Sequence, residues 1–462
     1  MNGFNTPLFL FLFLPIYLAL YLVSGKRWKI PIGIIGSLVF YASGNLVYVP
    51  LMVALTLVNY GLAKGISAGR GQSRALVWLW AGILADIGVL VFFKLSHGIA
   101  FPLGLSYVSF QLVSYLLDVR KGTLEPESDL LKFSFYVLLF PKILVGPIVR
   151  FSTLRQYIDD IQVTPDGVAD GIRRFVRGLA KKTLIADFLA KIVNPVFALS
   201  NPTISPGLAW LVLVAFALQL FFDFSGYTDM AIGLGKMMGL PFIENFNFPY
   251  LADSISDFWR RWHISLSSWF RDYVFFPLER RRLKWIGQPL NVLIVFALTG
   301  LWHGLALNYL VWGLSHGAAI AFENTAIGRR LRTLWPPLSH LYALAVLLIS
   351  WVFFRSPDLV FAARFIRRLS GYTKGITPLS FTQSAPLPII DPTVVIALIF
   401  GLVFCLPVGK WLASGSTRLA GESPARKLAF QILYDLVILL LLVTCVAATA
   451  AGNYAPGIYD KF

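Results

Sequence analysis

The sequence predicts an all-α, polytopic membrane protein, and three observations carry that prediction. Of 462 residues, 57% are hydrophobic and 14% charged, and the mean hydropathy is +0.70, a balance outside that of soluble domains. Apolar runs long enough to cross about 30 Å of hydrocarbon recur along the whole chain, leaving no room for a soluble domain of ordinary size. Lys and Arg number 40 against 23 Asp and Glu, a formal charge of +17, and the basic residues cluster in short loops beside apolar segments, as the positive-inside bias requires. Membrane lipids, not nucleic acid, are therefore the expected surroundings. The remaining positive charge fits an anionic substrate or an acidic carrier on the cytoplasmic side.

Taken in order, candidate spans run Pro7–Ser24, Ile30–Ser43, Tyr48–Ala63 and Leu76–Phe93. The first has no basic residue before it, while Lys26, Arg27 and Lys29 follow it. A cleaved signal peptide shows the reverse order, so a retained helix with its N-terminus outside is expected. Gly44 and Asn45 mark an outer turn, and the basic stretch Lys64–Arg74 belongs in the cytoplasm. Phe101–Leu117 is apolar but carries Ser106, Ser109, Gln111 and Ser114, which suits a span lining a polar interior or a re-entrant segment. Pro141 and Pro147 interrupt Lys132–Val149, with Lys142 and Gly146 between them, and predict a broken helix facing a cavity.

Ala169–Asn194 reads as one amphipathic helix lying on the cytoplasmic surface. Ile172, Phe175, Leu179, Leu184 and Ile185 recur at helical spacing, and Arg173, Arg174, Arg177, Lys181 and Lys182 crowd its early turns. Two spans follow, Leu208–Phe222 and Tyr227–Met238, around Asp223 and Asp229, which must be paired or face water. Gly226, Gly233 and Gly235 allow close helix contact there. The last third supplies supporting spans at Ser339–Phe354, Val394–Pro407 and Ala429–Ala450. Either Phe361–Leu369 is an interfacial helix or one of these spans is misplaced, because Arg364, Arg367, Arg368 and Lys374 would otherwise fall outside. No linker or repeat divides the chain, so residues 1–462 are expected to form a single domain. Cys405 and Cys445, the two cysteines, offer too few ligands for a disulfide framework or a zinc site.

The chain centres on DSISDFWRRWHISLSSWFRDYVFFPL, Asp253–Leu278, too polar for lipid and too aromatic for open water. If Ser256–Phe276 is one helix, Trp259, His263, Ser267 and Arg271 share a face at i, i+4 steps, and Asp257 reaches Arg260 and Arg261. Beyond Pro277, the run ERRRLK marks the cytoplasmic side. Its partner stretch is Thr299–Gly317, TGLWHGLALNYLVWGLSHG. Gly300 and Gly304 flank His303 at GxxxG spacing, and Gly313 and Gly317 flank His316. In one continuous helix, thirteen residues at about 100° each place these two histidines on nearly opposite faces, so at most one serves a common site.

Five histidines are present. His97 and His340 sit near predicted membrane ends and read as interface residues. His263 and His303 stand apart, set among aromatic, glycine and arginine residues at membrane depth or edge. A buried neutral imidazole can take the proton of a hydroxyl, the general-base role in acyl transfer, if other polar groups stabilise the oxyanion. There is no G-x-S-x-G elbow, HExxH, clustered Cys/His set, P-loop or GxGxxG cradle. On spacing alone, two membrane histidines suit a transporter's proton relay equally well.

At these residues the chain resembles the membrane-bound O-acyltransferase (MBOAT) family, and within it the branch of bacterial alginate O-acetyltransferase membrane subunits. The resemblance is carried by PLGLSYVSFQLVSYLLDVRKG (Pro102–Gly122), FYVLLFPKILVGPIVRF (Phe135–Phe151), FFDFSGYTDMAIGLGKMMGLPFIENFNFPYL (Phe221–Leu251), DFWRRWHISLSSWFRDYVFFPL (Asp257–Leu278) and GLWHG (Gly300–Gly304). It implies a ring of about 11–13 transmembrane and re-entrant helices around a central tunnel, with a catalytic core over residues 99–322. It also implies a cytoplasmic acyl donor, acetyl-coenzyme A or an acyl-carrier thioester, with acetyl as the group carried, and no bound cofactor or metal. The acceptor it implies is an extracytoplasmic polysaccharide or an acyl-accepting partner protein, at the inner membrane of a bacterium.

The same resemblance makes His303, in the WHG motif, the catalytic histidine and His263, in RWHIS, the second one tied to activity. His303 would deprotonate the acceptor hydroxyl while His263 and nearby donors hold the oxyanion. Trp302, Trp259, Trp262, Arg260, Arg261, Ser267, Arg271, Asp272, Asn245, Asp223 and Asp229 complete the expected tunnel and supporting set. A sibling branch transfers D-alanyl groups from a carrier protein to teichoic acid and shares the WHISLS and WHG elements. The basic loop ERRRLKWIGQ departs from the glycine-containing loop expected of the alginate branch.

Overall fold

The computed structural model describes residues 3–96, 98–281, 287–332, 335–375, 379 and 391–452. His97 and residues 282–286 of the basic loop lie outside them. The described residues are mostly helical, with isolated bridges at Phe246–Trp262 and Ile204–Leu379 as their extended pairings. They pack as two compact units, Met1–Leu179 with Gly226–Glu244, and Ala180–Ser225 with Asn245–Ala455.

The first unit opens with α1 (Leu14–Val23), α2 (Lys26–Asn45), α3 (Val49–Ala68), α4 (Ser73–Leu95) and α5 (Leu105–Lys121). Lys26–Ala68 and Ser73–Leu95 are long and apolar enough to cross a bilayer. Asn45 makes the turn between α2 and α3, its side chain accepting from the Val47 amide at 3.1 Å. Asp86 on α4 is fully buried and takes a 2.8 Å hydrogen bond from Asn59 on α3, so its polarity is answered inside the protein. Ser106, Ser109, Gln111 and Ser114 of α5 are buried as well, which fits a helix lining protein and not lipid.

The expected broken helix is present, its first break falling just before Pro141. The chain runs α6 (Leu130–Leu138), a bend at Leu139, and the single turn α7 (Phe140–Ile143), with Pro141 in its first turn. Lys142 is buried over the ring of Tyr136 and donates to Gln111. After α8 (Phe151–Asp159), α9 (Pro165–Ala180) crosses the C-terminal part of α11 (Pro206–Met237) through glycines on both sides. A Cβ on Gly171 would meet the Gly233 carbonyl at 2.7 Å, and one on Gly178 would meet the Met230 amide at 2.7 Å. The crossing therefore tolerates no side chain there.

Two expectations are corrected here. The segment Leu208–Met238 is not two spans but one 32-residue helix, about 48 Å long. Its carboxylates do not break it because each is paired within its own unit: Lys182 sits 2.8 Å from Asp223, and Arg174 forms a 2.8 Å bond to Asp229. Nor does Ala169–Asn194 lie wholly on a surface. A π-helical stretch, Lys181–Ala186, follows α9 and shifts the register. As a result Lys182 is buried, and Leu189, Ile192, Val193, Val196 and Phe197 of α10 (Asp187–Phe197) are core residues of the second unit.

The second unit continues with α12 (Ile255–Arg261), α13 (Ile264–Phe270), α14 (Phe276–Arg280), α15 (Gln288–His303), α16 (Leu307–Glu323), α17 (Ala326–Arg332) and α18 (Pro336–Arg355). Next comes α19 (Leu359–Leu369), 11 residues or about 17 Å, too short to span. Phe361 and Phe365 are buried and Arg364 and Arg367 exposed, so of the two alternatives the interfacial helix is the one with matching geometry. The pair α20 (Pro392–Phe404) and α21 (Val408–Ala420) bends by 66°, and α22 (Pro424–Ala450) is the last described helix. Among the described residues, five helical stretches, with Lys26–Ala68 counted as one, can cross a membrane by length and composition, or six if the bent pair counts as one.

Candidate active site

The site lies in the second unit and starts from how α12 begins and ends. Ser254 caps it, its hydroxyl accepting from the Asp257 amide at 3.1 Å. The fully buried Glu323 carboxylate, on α16, takes the Ile255 amide at 2.5 Å, the Ser256 amide at 3.0 Å and the Ser256 hydroxyl at 2.5 Å. An anion is thereby placed on the orphan N–H groups of the helix start. Asp257 does pair with both arginines, 2.7 Å to Arg261 and 3.6 Å to Arg260. The Arg260 side chain is 63% exposed, so its pair contributes little.

A continuous helix over Ser256–Phe276 does not form. Trp262 is extended and His263 adopts φ 44°, ψ 53°, a left-handed conformation that side chains other than glycine adopt only where surroundings over-determine it. The cause is the preceding segment. Asn247 donates its amide to the Arg261 carbonyl at 2.9 Å, and the Ile264 amide donates to the Asn245 carbonyl at 3.0 Å. The strand-like bridge Phe246–Trp262 thus takes the groups that α12 would need to continue, and α13 restarts with the Ser267 amide on the His263 carbonyl. Trp259 and His263 consequently do not share a helix face.

The kink buries His263, which is 1% exposed. Its Nδ1 lies 3.3 Å from Asn245 Oδ1, the same oxygen that accepts the Ser265 amide at 3.0 Å and the Ser265 hydroxyl at 2.9 Å. Phe224 of α11 meets the imidazole edge-on at 4.6 Å, and Trp302 lies 6.3 Å away between ring centres. Trp262 fills the opposite side of the kink, against Phe246, Phe258 and Trp351.

His303 is the last residue of α15. Gly304 lets the chain reverse, since a Cβ there would meet the Tyr309 ring at 2.5 Å, and α16 returns antiparallel with Gly313 and Gly317 against Phe296. The expectation of one continuous helix through Thr299–Gly317 therefore fails, and with it the opposite-face argument. His303 packs on Trp302 at 4.6 Å, Trp312 at 4.9 Å and Phe354 at 5.1 Å. His316 reaches Trp312 from another side at 5.3 Å, but its Nδ1 already accepts from the Trp259 indole at 3.2 Å. Trp259 and His316 thus hold each other inside an aromatic core with Phe258, Phe296 and Trp351.

Of the expected set, the structure gathers His263, Asn245, Trp262, Trp302 and His303, with Trp259 beside them. Ser267 turns its hydroxyl to the Trp262 carbonyl at 3.2 Å and helps hold the kink. Arg271 and Asp272 form their own 2.9 Å pair. Asp223 belongs to a buried triad with Lys182 and Asp187, and Asp229 lies in the first unit with Arg174 and, through it, Glu244. Phe224, Ser265 and Glu323 were not singled out by the sequence. Only Glu323 left a signal, a carboxylate at the end of an otherwise uncharged run.

A family model described as MBOAT, membrane-bound O-acyltransferase family, matches residues 36–354. A probable alginate O-acetylase of Pseudomonas aeruginosa is 34% identical, covering 99% of this chain and 100% of its own. A peptidoglycan O-acetyltransferase of Helicobacter pylori is 32% identical over 80% of each chain. A teichoic acid D-alanyltransferase of Bacillus subtilis is 33% identical over 56% of this chain and 67% of its own.

Proposed function

Because the chain belongs to the membrane-bound O-acyltransferase family, and is thus a multi-pass membrane enzyme of acyl transfer to oxygen, we propose that it moves acetyl groups to an extracytoplasmic polysaccharide. The donor in this reading is a cytoplasmic thioester, acetyl-coenzyme A or an acetylated carrier, and the acceptor is a sugar hydroxyl or a partner protein that passes the group on. The setting is the cytoplasmic membrane of a bacterium. A proton-relay transporter no longer competes, since the family is one of acyltransferases.

One observation supports the mechanism most: His263 and His303, 40 residues apart in sequence, pack against the same indole, Trp302, out of reach of bulk water. In the proposed reaction His303 takes the proton of the acceptor hydroxyl. The oxygen attacks the thioester carbonyl, and the tetrahedral adduct collapses with cleavage of the carbon–sulfur bond. The imidazolium then returns its proton to the departing thiolate, leaving an ester and a free thiol. Water exclusion by the surrounding aromatic side chains protects the thioester from hydrolysis.

Acetyl is preferred to D-alanyl because the relative named for alginate acetylation aligns over 99% of the chain and the D-alanyltransferase over 56%. The test is thiol release by purified protein in vesicles supplied in turn with acetyl-coenzyme A and a D-alanyl carrier protein. Release from acetyl-coenzyme A, lost in His303→Ala, is expected. Release from the D-alanyl carrier alone would transfer the assignment to the sibling reaction.

A further inference from the structure

The hydrogen bonds around Asn245 fix more than the position of His263. A neutral imidazole carries one N–H donor and one lone-pair acceptor, and what meets one nitrogen decides the role of the other. The Ser265 backbone amide can only donate, and it points at the Asn245 side-chain atom 3.0 Å away. That atom is therefore the carbonyl oxygen and not the amide nitrogen. The Ser265 hydroxyl spends its single proton on the same oxygen, at 2.9 Å, so it does not donate to His263, whose Nδ1 is 3.5 Å from it. His263 Nδ1 faces the Asn245 oxygen at 3.3 Å and must be the donor. Nε2 then holds the lone pair. It is buried and has no hydrogen-bond partner among the described residues. The charged imidazolium, with both nitrogens as donors, would place a cation against Phe224 and Trp302 with no carboxylate among its described partners.

We propose that Asn245 is a positioning residue that holds His263 in its Nδ1–H form, so that Nε2 accepts a hydrogen bond from an O–H of the acceptor substrate other than the one whose proton His303 takes. This rests on the acyltransferase reading for its substrate but not for its geometry. It replaces the oxyanion-holding role expected of His263, because an oxyanion needs a donor and this tautomer presents none at Nε2. The oxyanion then falls to other N–H groups of the site, while His303 takes the proton. The left-handed backbone at His263 and the bridge at Phe246–Trp262 serve the same end, since together they bring the Asn245 side chain onto Nδ1.

The tautomer is read directly by solid-state NMR of the full chain in lipid bilayers, labelled with 13C and 15N at histidine, with His263 assigned by difference from His263→Gln. A protonated Nδ1 and bare Nε2 are expected in the wild type and in Asn245→Asp, and loss of that preference in Asn245→Ala. Protonation of Nε2 in the wild type would overturn the proposal. No substrate is needed, so a protein that fails to turn over acetyl-coenzyme A would sink the acetyl-transfer reading and leave this measurement intact.

Kinetics with acetyl-coenzyme A and an alginate oligosaccharide supply the second arm. Asn245→Ala should lower kcat roughly 100-fold with the KM for acetyl-coenzyme A unchanged. Asn245→Asp keeps the acceptor oxygen and should recover most of the rate. Its carboxylate also favours the imidazolium, so the acidic limb of the pH–rate profile should move to higher pH. Wild-type kcat in Asn245→Ala, an effect confined to the donor's KM, or an unmoved limb in an active Asn245→Asp would each overturn the role.

Discussion

Lys182→Met tests whether the buried triad holds the helix that shapes one wall of the site. Lys182 Nζ lies 2.6 Å from Asp187 and 2.8 Å from Asp223, and the three side chains are 1%, 2% and 3% exposed. At an effective dielectric of about 20, each pair at this distance is attractive by about 6 kcal/mol, most of which is offset by the desolvation of the ions. What the substitution exposes is the asymmetry: two carboxylates remain buried without their cation, a situation that costs about 3–5 kcal/mol. We therefore expect the midpoint of thermal unfolding in detergent, followed by tryptophan fluorescence, to fall by roughly 3–5 °C. Acyl transfer should fall with it, because Asp223 adjoins Phe224, the ring on His263. A triple replacement, Lys182→Met with Asp187→Leu and Asp223→Leu, should regain most of the stability, since an apolar triad has no charge to desolvate. A Lys182→Met protein that unfolds within about 2 °C of the wild type would refute the reasoning.

Further outcomes follow from the same contacts. Glu323→Ala leaves the Ile255 and Ser256 amides without their acceptor and should cost about 1–3 kcal/mol, with Glu323→Gln milder; equal stability of all three, by the same unfolding assay, would remove the capping role. Gly304→Val drives a side chain into the Tyr309 ring, so roughly 1–3 kcal/mol of stability and the activity that depends on the α15–α16 turn should be lost. Trp302→Ala takes away the ring both histidines touch and should depress kcat with little change in expression level; an unaltered kcat speaks against the shared indole. Arg260→Gln, on an exposed pair, should stay within about 0.5 kcal/mol of the wild type and keep its activity, and a large loss would mean that Arg260 meets a substrate.

Much of this was legible from residue order because hydropathy and punctuation act locally. Most span positions, the proline-broken segment at Pro141 and the Asp257 pairs with Arg260 and Arg261 are set within a few residues of themselves. Three of the misreadings share one cause, a partner distant in sequence. The helix over Ser256–Phe276 breaks because Asn245 and Asn247 compete for its backbone groups. Leu208–Met238 stays whole because Lys182 and Arg174 answer its carboxylates. Ala169–Asn194 turns inward because one π-helical stretch rotates Lys182 toward Asp187 and Asp223. For the site, the motifs named His263 and His303, whereas Phe224, Ser265 and Glu323 became visible only when the chain folded back on them.

The central claim is that His303 removes the proton of a hydroxyl acceptor in acyl transfer. Its most direct test is the initial rate of radiolabelled acetyl transfer from acetyl-coenzyme A to an alginate oligosaccharide by wild type and His303→Ala, both reconstituted in vesicles and matched for unfolding temperature. Labelled ester from the wild type, falling by at least about 100-fold in the folded variant, is the predicted result. Transfer by His303→Ala at the wild-type rate would contradict it.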